Sequence, residues 1–254
     1  LDLYLASDAF REQDLVALVQ TLLKNRRSDG LSRLVVFIPN RTLKELRALA
    51  KLISQNPNIP SAFQNVVLGG LIDFYRASNF SSPPTDELKV LRTIVQQYYY
   101  RDLNLLYACW TSQEEKLHLE LGRLSDDEYR EFVQTALHFR FVDLFLLVVP
   151  PRAEAFLDLY LASDAFREQD LVALVKVLLK IGKGDCLSQL VPFVPSQSSQ
   201  ALETLAKLIG PRFNIPEIFR KVVNETLASL PPEKKPFNPF NLLLGKGGEN
   251  RRDR

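Results

Sequence analysis

The chain has 254 residues, 46% of them hydrophobic and 24% charged, and its 32 basic and 30 acidic side chains leave a formal net charge of only +2. That composition excludes a disordered chain, and the near balance of charge leaves no broad basic footprint for a nucleic-acid backbone. No uncharged apolar run reaches the ~18 residues a membrane-crossing helix needs; the longest apolar stretch, Phe141 to Val149, carries Asp143 inside it and reads as core.

Residues Leu1 to Leu71 align without a gap onto Leu157 to Leu227, and 42 of the 71 positions are identical. The opening string, Leu1 to Val19, recurs letter for letter from Leu157 to Val175, while the remainder has drifted to less than half identity. Packing alone constrains one face of an element and leaves the exposed one free to drift. Identity on both faces therefore implies recent copying or a surface that does the same job twice. Duplication on this scale is how helical arrays are built.

In chain order, Asp14 stands at an N-cap position ahead of an apolar stripe running to Leu23, with Leu18 on its buried face. A short element, Leu31 to Ile38, is stopped by Pro39, whose ring disfavours helical geometry in the residue before it. A helix over Leu43 to Ile53 follows, and Pro60 is expected at the first helical position ahead of Phe63, Val66 and Val67. Residues 78–84 read as a linker, and Thr85 to Glu87 as the acidic first turn of a helix running toward Tyr100. Asp102 to Leu106 weakly echoes Asp14 to Leu18, and Ser125 with Glu128 has capping-box spacing ahead of Tyr129, Phe132, Val133 and Leu137.

The second copy repeats the first. Ala155, Phe156, Leu159, Tyr160 and Phe166 recur at helical steps and predict one amphipathic helix of about four turns. Asp170 is the expected N-cap of the next helix, whose stripe includes Leu171, Leu174 and Leu178 and which Gly182 to Gly184 ends. Leu187 to Val194 stops at Pro195, and a helix with Leu202, Leu205 and Ile209 on one face begins within Ser196 to Ser199. The resulting division is residues 1–77 (first copy), 78–84 (linker), 85–151 (divergent central helical segment), 152–230 (second copy) and 231–254 (flexible tail rich in proline, glycine and charge).

Catalytic constellations are not legible. His118 and His138 are the only histidines, separated by a spacing that fits no metal motif, and no nucleophile elbow or phosphate loop is present. Tyr98 to Tyr100 could suggest a base-stacking platform, but consecutive helical side chains diverge by ~100°, so two of them are expected to pack and one to face solvent. Trp110 reads as a core residue. Cys109 and Cys186 lie apart without CxxC spacing, as reduced thiols of an intracellular protein, cytoplasmic or nuclear, would. No signal peptide is recognised at the start, and the absence of any methionine leads to the expectation that the sequence is a piece of a longer chain.

The run of helix, Asp-capped helix from Asp14, a short element ending at Pro39, and a following helix with paired leucines resembles the harmonin-homology domain, a five-helix module of scaffold proteins. The same run recurs from Asp170 to Pro195. The resemblance implies a non-enzymatic module that holds a partner's amphipathic helix in a groove between its own helices. A continuous α-solenoid of helical hairpins accounts for the same periodicity. The expected fold class is therefore all-α, a tandem helical repeat of one kind or the other.

The expected function is a protein–protein interaction scaffold or adaptor without cofactor or metal. The partner is expected to be a protein, an amphipathic helix or a second copy of the chain, with no direct nucleic-acid contact and no membrane span. The alternative is a nucleic-acid-associated subunit of a larger genome-maintenance or repression complex. The candidate contact residues are Arg11, Glu12, Arg167 and Glu168, the charged positions at the turn between the first two helices of each copy. Asn238, Pro239 and Phe240 in the tail resemble the peptides bound by Eps15-homology domains.

Overall fold

The computed structural model describes residues 1–7, 11, 14–210 and 214–230, with Asp2 and Leu3 as backbone alone. Among these residues every regular element is a helix, and the protein is all-α. The first copy forms α1 (Asp2–Leu5), α2 (Leu15–Lys24), a 3₁₀ segment (Ser28–Phe37), α3 (Leu43–Gln55) and α4 (Ser61–Ala77). The central segment forms α5 (Thr85–Gln97), α6 (Arg101–Trp110), α7 (Glu114–Gly122), α8 (Asp126–Phe139) and two short 3₁₀ turns, Leu144–Leu147 and Pro150–Arg152. The second copy then forms α9 (Ala153–Leu161), α10 (Leu171–Lys180), a 3₁₀ segment (Gly184–Phe193), α11 (Ser199–Ile209) and α12 (Glu217–Ser229). The α-helices and the long 3₁₀ segment thus come in the same order in both copies, and the second has in addition a 3₁₀ turn at Glu168–Asp170, whose counterpart lies partly outside the described residues.

The long 3₁₀ segments follow from spacing. Leu31 and Leu34, like Leu187 and Leu190, are three residues apart, the 3₁₀ period, and all four are fully buried. The end of the preceding helix is built alike in both copies. In the first, the Arg27 and Arg26 amides donate back to the carbonyls of Leu22 and Leu23; in the second, Lys183 and Gly182 donate to Leu178 and Leu179. This is a Schellman closure that needs a left-handed residue. Gly182 supplies it at φ +75°, whereas the first copy holds Arg26 there at φ +55°.

The core divides in two around α6. Leu103, Leu106 and Tyr107 belong to the core of the first copy, while Leu105, Ala108 and Cys109 belong to that of the second. Each set has the i, i+3, i+4 spacing of one helical face, so α6 is apolar on both sides. The first copy is tied to the central segment by buried polar contacts. Glu87 of α5 accepts from the Tyr75 hydroxyl of α4 and pairs with Arg47 of α3. Tyr98 donates to the Asn56 carbonyl at 3.0 Å, and Trp110 donates to the Phe80 carbonyl at 3.1 Å. Residues 78–84, expected as a linker, form a packed loop: Phe80 and Pro83 are buried, and the Phe80 ring stacks on Phe141.

Several expectations are corrected. The helix carrying Ala155 and Phe156 ends at Leu161, because the Ser163 hydroxyl and amide both take the Tyr160 carbonyl. Phe166 is instead brought back by the turn, with its ring edge-on to Tyr160 at 5.6 Å. Asp170 and Asp14 occupy N-cap positions, but neither side chain caps its helix. The Asp170 carboxylate accepts from the Tyr160 hydroxyl at 2.8 Å, a tertiary contact that takes the place of the local one.

Pro60 and Pro216 are N-caps, one position earlier than expected. Helix α5 stops at Gln97, leaving Tyr98 and Tyr100 in extended geometry. Two of the three tyrosines still pack while Tyr99 is exposed, but through extended alternation and not helical divergence. Leu18 is only partly buried, unlike its fully buried counterpart Leu174. Ser125 and Glu128 close both bonds of their capping box, and so do Thr42 and Glu45, a second box with the same spacing.

Candidate functional site

Arg167 and Glu168 are exposed at the mouth of an open groove of about 790 Å³ between α10 and α11. One wall continues through Gln169 into Val172 and Lys176 of α10; the other is the start of α11, with Gln200, Ala201 and Thr204. Gln197 fixes the two walls. Its buried side-chain amide donates to the Glu168 carbonyl at 3.0 Å and to the Phe193 carbonyl at 3.2 Å. The next residue, Ser198, caps α11 by accepting from the Ala201 amide at 3.3 Å. The local sequence therefore places a helix start, an exposed charged pair and a short apolar strip around one concavity.

In the first copy the sequence equivalent to the wall bearing the candidate residues is the same from Arg11 to Val16 but has Gln20 in place of Lys176, while that of the opposite wall has diverged further. Arg41, Lys44 and Glu45 stand where the second copy has Gln197, Gln200 and Ala201. Arg41 pairs with Glu45 at 3.5 Å, and the Glu45 carboxyl is held below the ordinary carboxylate range by its bonds to Thr42. Arg11 is exposed. Glu12 and the tail residues Asn238, Pro239 and Phe240 lie outside the described residues.

Sequence reasoning did not find a second groove, about 500 Å³ in volume, where α4, α6 and α8 meet. Its floor is apolar, with Ile72, Phe80, Leu105, Leu106 and Leu124 all buried. Its rim is ionic: Arg101 reaches Glu128 at 2.8 Å, and Arg76 approaches Asp102 at 3.7 Å. The residues come from three elements far apart in sequence, so no local pattern signalled it.

Groups suited to acid–base or metal chemistry are engaged in structure. His118 on α7 shares a hydrogen bond with the Leu146 carbonyl at 2.9 Å, and His138 is exposed, edge-on to Phe139. Both cysteines are free thiols. Burial pushes the Cys109 thiol up to about 12. Glu154, Asp185 and Cys186 bring their potential ligand atoms within 4.8 Å of one another. Burial, then the neighbouring Asp185 and Glu154 carboxylates, push the Cys186 thiol up. No helix among the described residues is long and apolar enough to cross a membrane. No protein-family model, no curated protein and no solved structure matches the chain.

Proposed function

We propose that the chain is a non-enzymatic interaction scaffold whose two duplicated units each hold a segment of a partner protein in a groove between helices. The observation that carries this reading is the strip from Arg167 to Val172. Within it Arg167, Glu168 and Gln169 are exposed and Val172 half-exposed, these four line an open groove, and the whole strip is repeated without change at Arg11 to Val16. A structural role does not account for unchanged exposed residues when more than half of the positions after Val19 have diverged.

The order of elements in each unit, with its proline-terminated third element, supports a harmonin-homology-like module, and a helix or short peptide is the ligand such a groove would take. The residues equivalent to one wall are unchanged from Arg11 to Val16 while those equivalent to the other, Arg41, Lys44 and Glu45, differ, so the ligands of the two copies would be related but not identical. The reduced thiols suit an intracellular setting.

The test is affinity capture from cell extract with the wild-type chain and a variant carrying Arg11→Glu, Glu12→Arg, Arg167→Glu and Glu168→Arg. Arg11, Arg167 and Glu168 are exposed, so the reversal should leave the fold intact while partner recovery falls at least tenfold. Unchanged recovery by the folded variant removes the shared-strip argument. Saturable nucleic-acid binding that weakens steeply with salt would replace the scaffold reading with the nucleic-acid one.

A further inference from the structure

Three potential metal ligands from two elements converge in the second copy. Glu154 stands in the first turn of α9, while Asp185 and Cys186 open the 3₁₀ segment Gly184–Phe193. A carboxylate oxygen from each acid and the Cys186 sulfur lie within 4.8 Å of one another. Both acids are exposed, whereas Cys186 is only 3% exposed, so a buried sulfur faces two carboxylates that reach solvent. Among the described residues the thiol meets one hydrogen-bond partner, Asp185 at 4.0 Å, itself a member of the group. Among the same residues no lysine or arginine forms an ion pair with either carboxylate.

Packing of the 3₁₀ segment does not by itself call for this thiol. The first copy builds the same segment with Asp29 in the place of Asp185 and Gly30 in the place of Cys186. The sulfur donor is therefore particular to the second copy. Carboxylates alone would suit Mg²⁺ or Ca²⁺, which take six or more oxygen ligands, whereas a thiolate beside them selects a softer divalent ion. Zinc holds sulfur at ~2.3 Å and carboxylate oxygen at ~2.1 Å, and at tetrahedral angles these lengths put the ligand atoms about 3.5 Å apart. Closing from 4.8 Å takes a shift of about 1 Å, which rotation of the exposed Glu154 and Asp185 side chains supplies.

We infer that Glu154, Asp185 and Cys186 form a zinc-binding site, with three protein ligands and a water molecule completing the tetrahedron. On binding, the Cys186 S–H bond breaks, a sulfur–zinc bond forms and the proton passes to solvent. The ion ties the start of α9 to the start of the 3₁₀ segment, a link that Gly30 denies the first copy. None of the three residues lines the groove beside Arg167, so the inference stands apart from the scaffold reading.

The test titrates the full chain, stripped of metal by a chelator and kept reduced, with Cd²⁺ and then with Zn²⁺. The wild type should bind one Cd²⁺ per chain with a thiolate-to-cadmium charge-transfer band in the ultraviolet, and Zn²⁺ should displace it while excess Mg²⁺ does not. Cys109→Ser should keep the band and Cys186→Ser should abolish it. Even changes around metal ligands cost 10–100-fold in affinity, so Glu154→Gln and Asp185→Asn should each weaken binding at least about tenfold. Both positions are exposed, so the circular dichroism of these two variants should match that of the wild type. Zinc at the concentration that saturates the wild type should raise its thermal midpoint, and raise that of Glu154→Gln less. Absence of the band in the wild type, or its survival in Cys186→Ser, overturns the inference. Wild-type affinity in both carboxylate variants overturns it as well, leaving a lone thiol that binds metal without a site.

Discussion

Leu18 and Leu174 occupy equivalent positions in identical strings, so truncating each to alanine separates sequence from environment. Leu174 is fully buried in the second core, and its removal leaves a closed cavity. Buried Leu→Ala changes cost 2–5 kcal/mol, and a site packed on all sides belongs near the middle, about 3 kcal/mol. Leu18 borders an open groove, so water fills the space and only a partial transfer term is lost, about 1 kcal/mol. Both sites lie inside helices of equal length, so the small propensity gain from alanine cancels in the comparison. The expected difference is about 2 kcal/mol. At a urea m-value of about 2 kcal/mol/M it places the Leu174→Ala midpoint about 1 M below that of Leu18→Ala. The assay is urea unfolding followed by far-UV circular dichroism. Equal losses would refute the reasoning that Leu18 borders open solvent while Leu174 is closed in.

Three further outcomes are expected. Arg26→Gly should stabilise the chain by about 1 kcal/mol by relieving a left-handed backbone that Gly182 accommodates in the other copy, and Gly182→Ala should cost about as much; thermal melts of both read the signs. With the Cys109 thiol pushed up to about 12 and the buried Cys186 thiol also raised, neither cysteine should react rapidly with a thiol reagent at neutral pH, whereas both should react in denaturant; fast labelling of the native chain would place a cysteine at the surface. The Glu45 carboxyl is depressed by its bonds to Thr42, so its contribution is present above the ordinary glutamate range and is lost as pH falls through the lowered folded value. Glu45→Gln should accordingly flatten the acid limb of stability against pH, and an unchanged slope would argue against the capping box.

The helical elements were legible because their signals are local. The Ser125 capping box, the prolines Pro39 and Pro195 that follow the third element, and the glycine at Gly182 each act within a few residues of the structure they cause. What was misread turned on contacts between distant residues. Asp170 has the sequence of an N-cap, yet its carboxylate serves the Tyr160 hydroxyl. Phe166 keeps helical spacing with Tyr160, yet meets it across a turn. Phe80 sits in a stretch rich in serine and proline that reads as linker, and only Phe141, far along the chain, draws it into the core. The groove beside Arg167 and Glu168 was half legible: duplication marked the α10 wall, but nothing local placed the start of α11 opposite it. The difference between Leu18 and Leu174 was beyond sequence altogether, because the strings are identical and only their neighbours differ.

The central claim is that the repeated strip contacts partner proteins in both copies. Its most direct measurement is quantitative partner recovery by three folded variants side by side: reversal at Arg11 and Glu12, reversal at Arg167 and Glu168, and reversal at all four. The strip is the same in both copies while the residues equivalent to the facing wall differ, so each two-site reversal should lose its own subset of partners and the four-site reversal should lose both. Recovery of the same partners at wild-type yield by the four-site variant would contradict the account, leaving the duplication as a fact of the fold with no shared binding role.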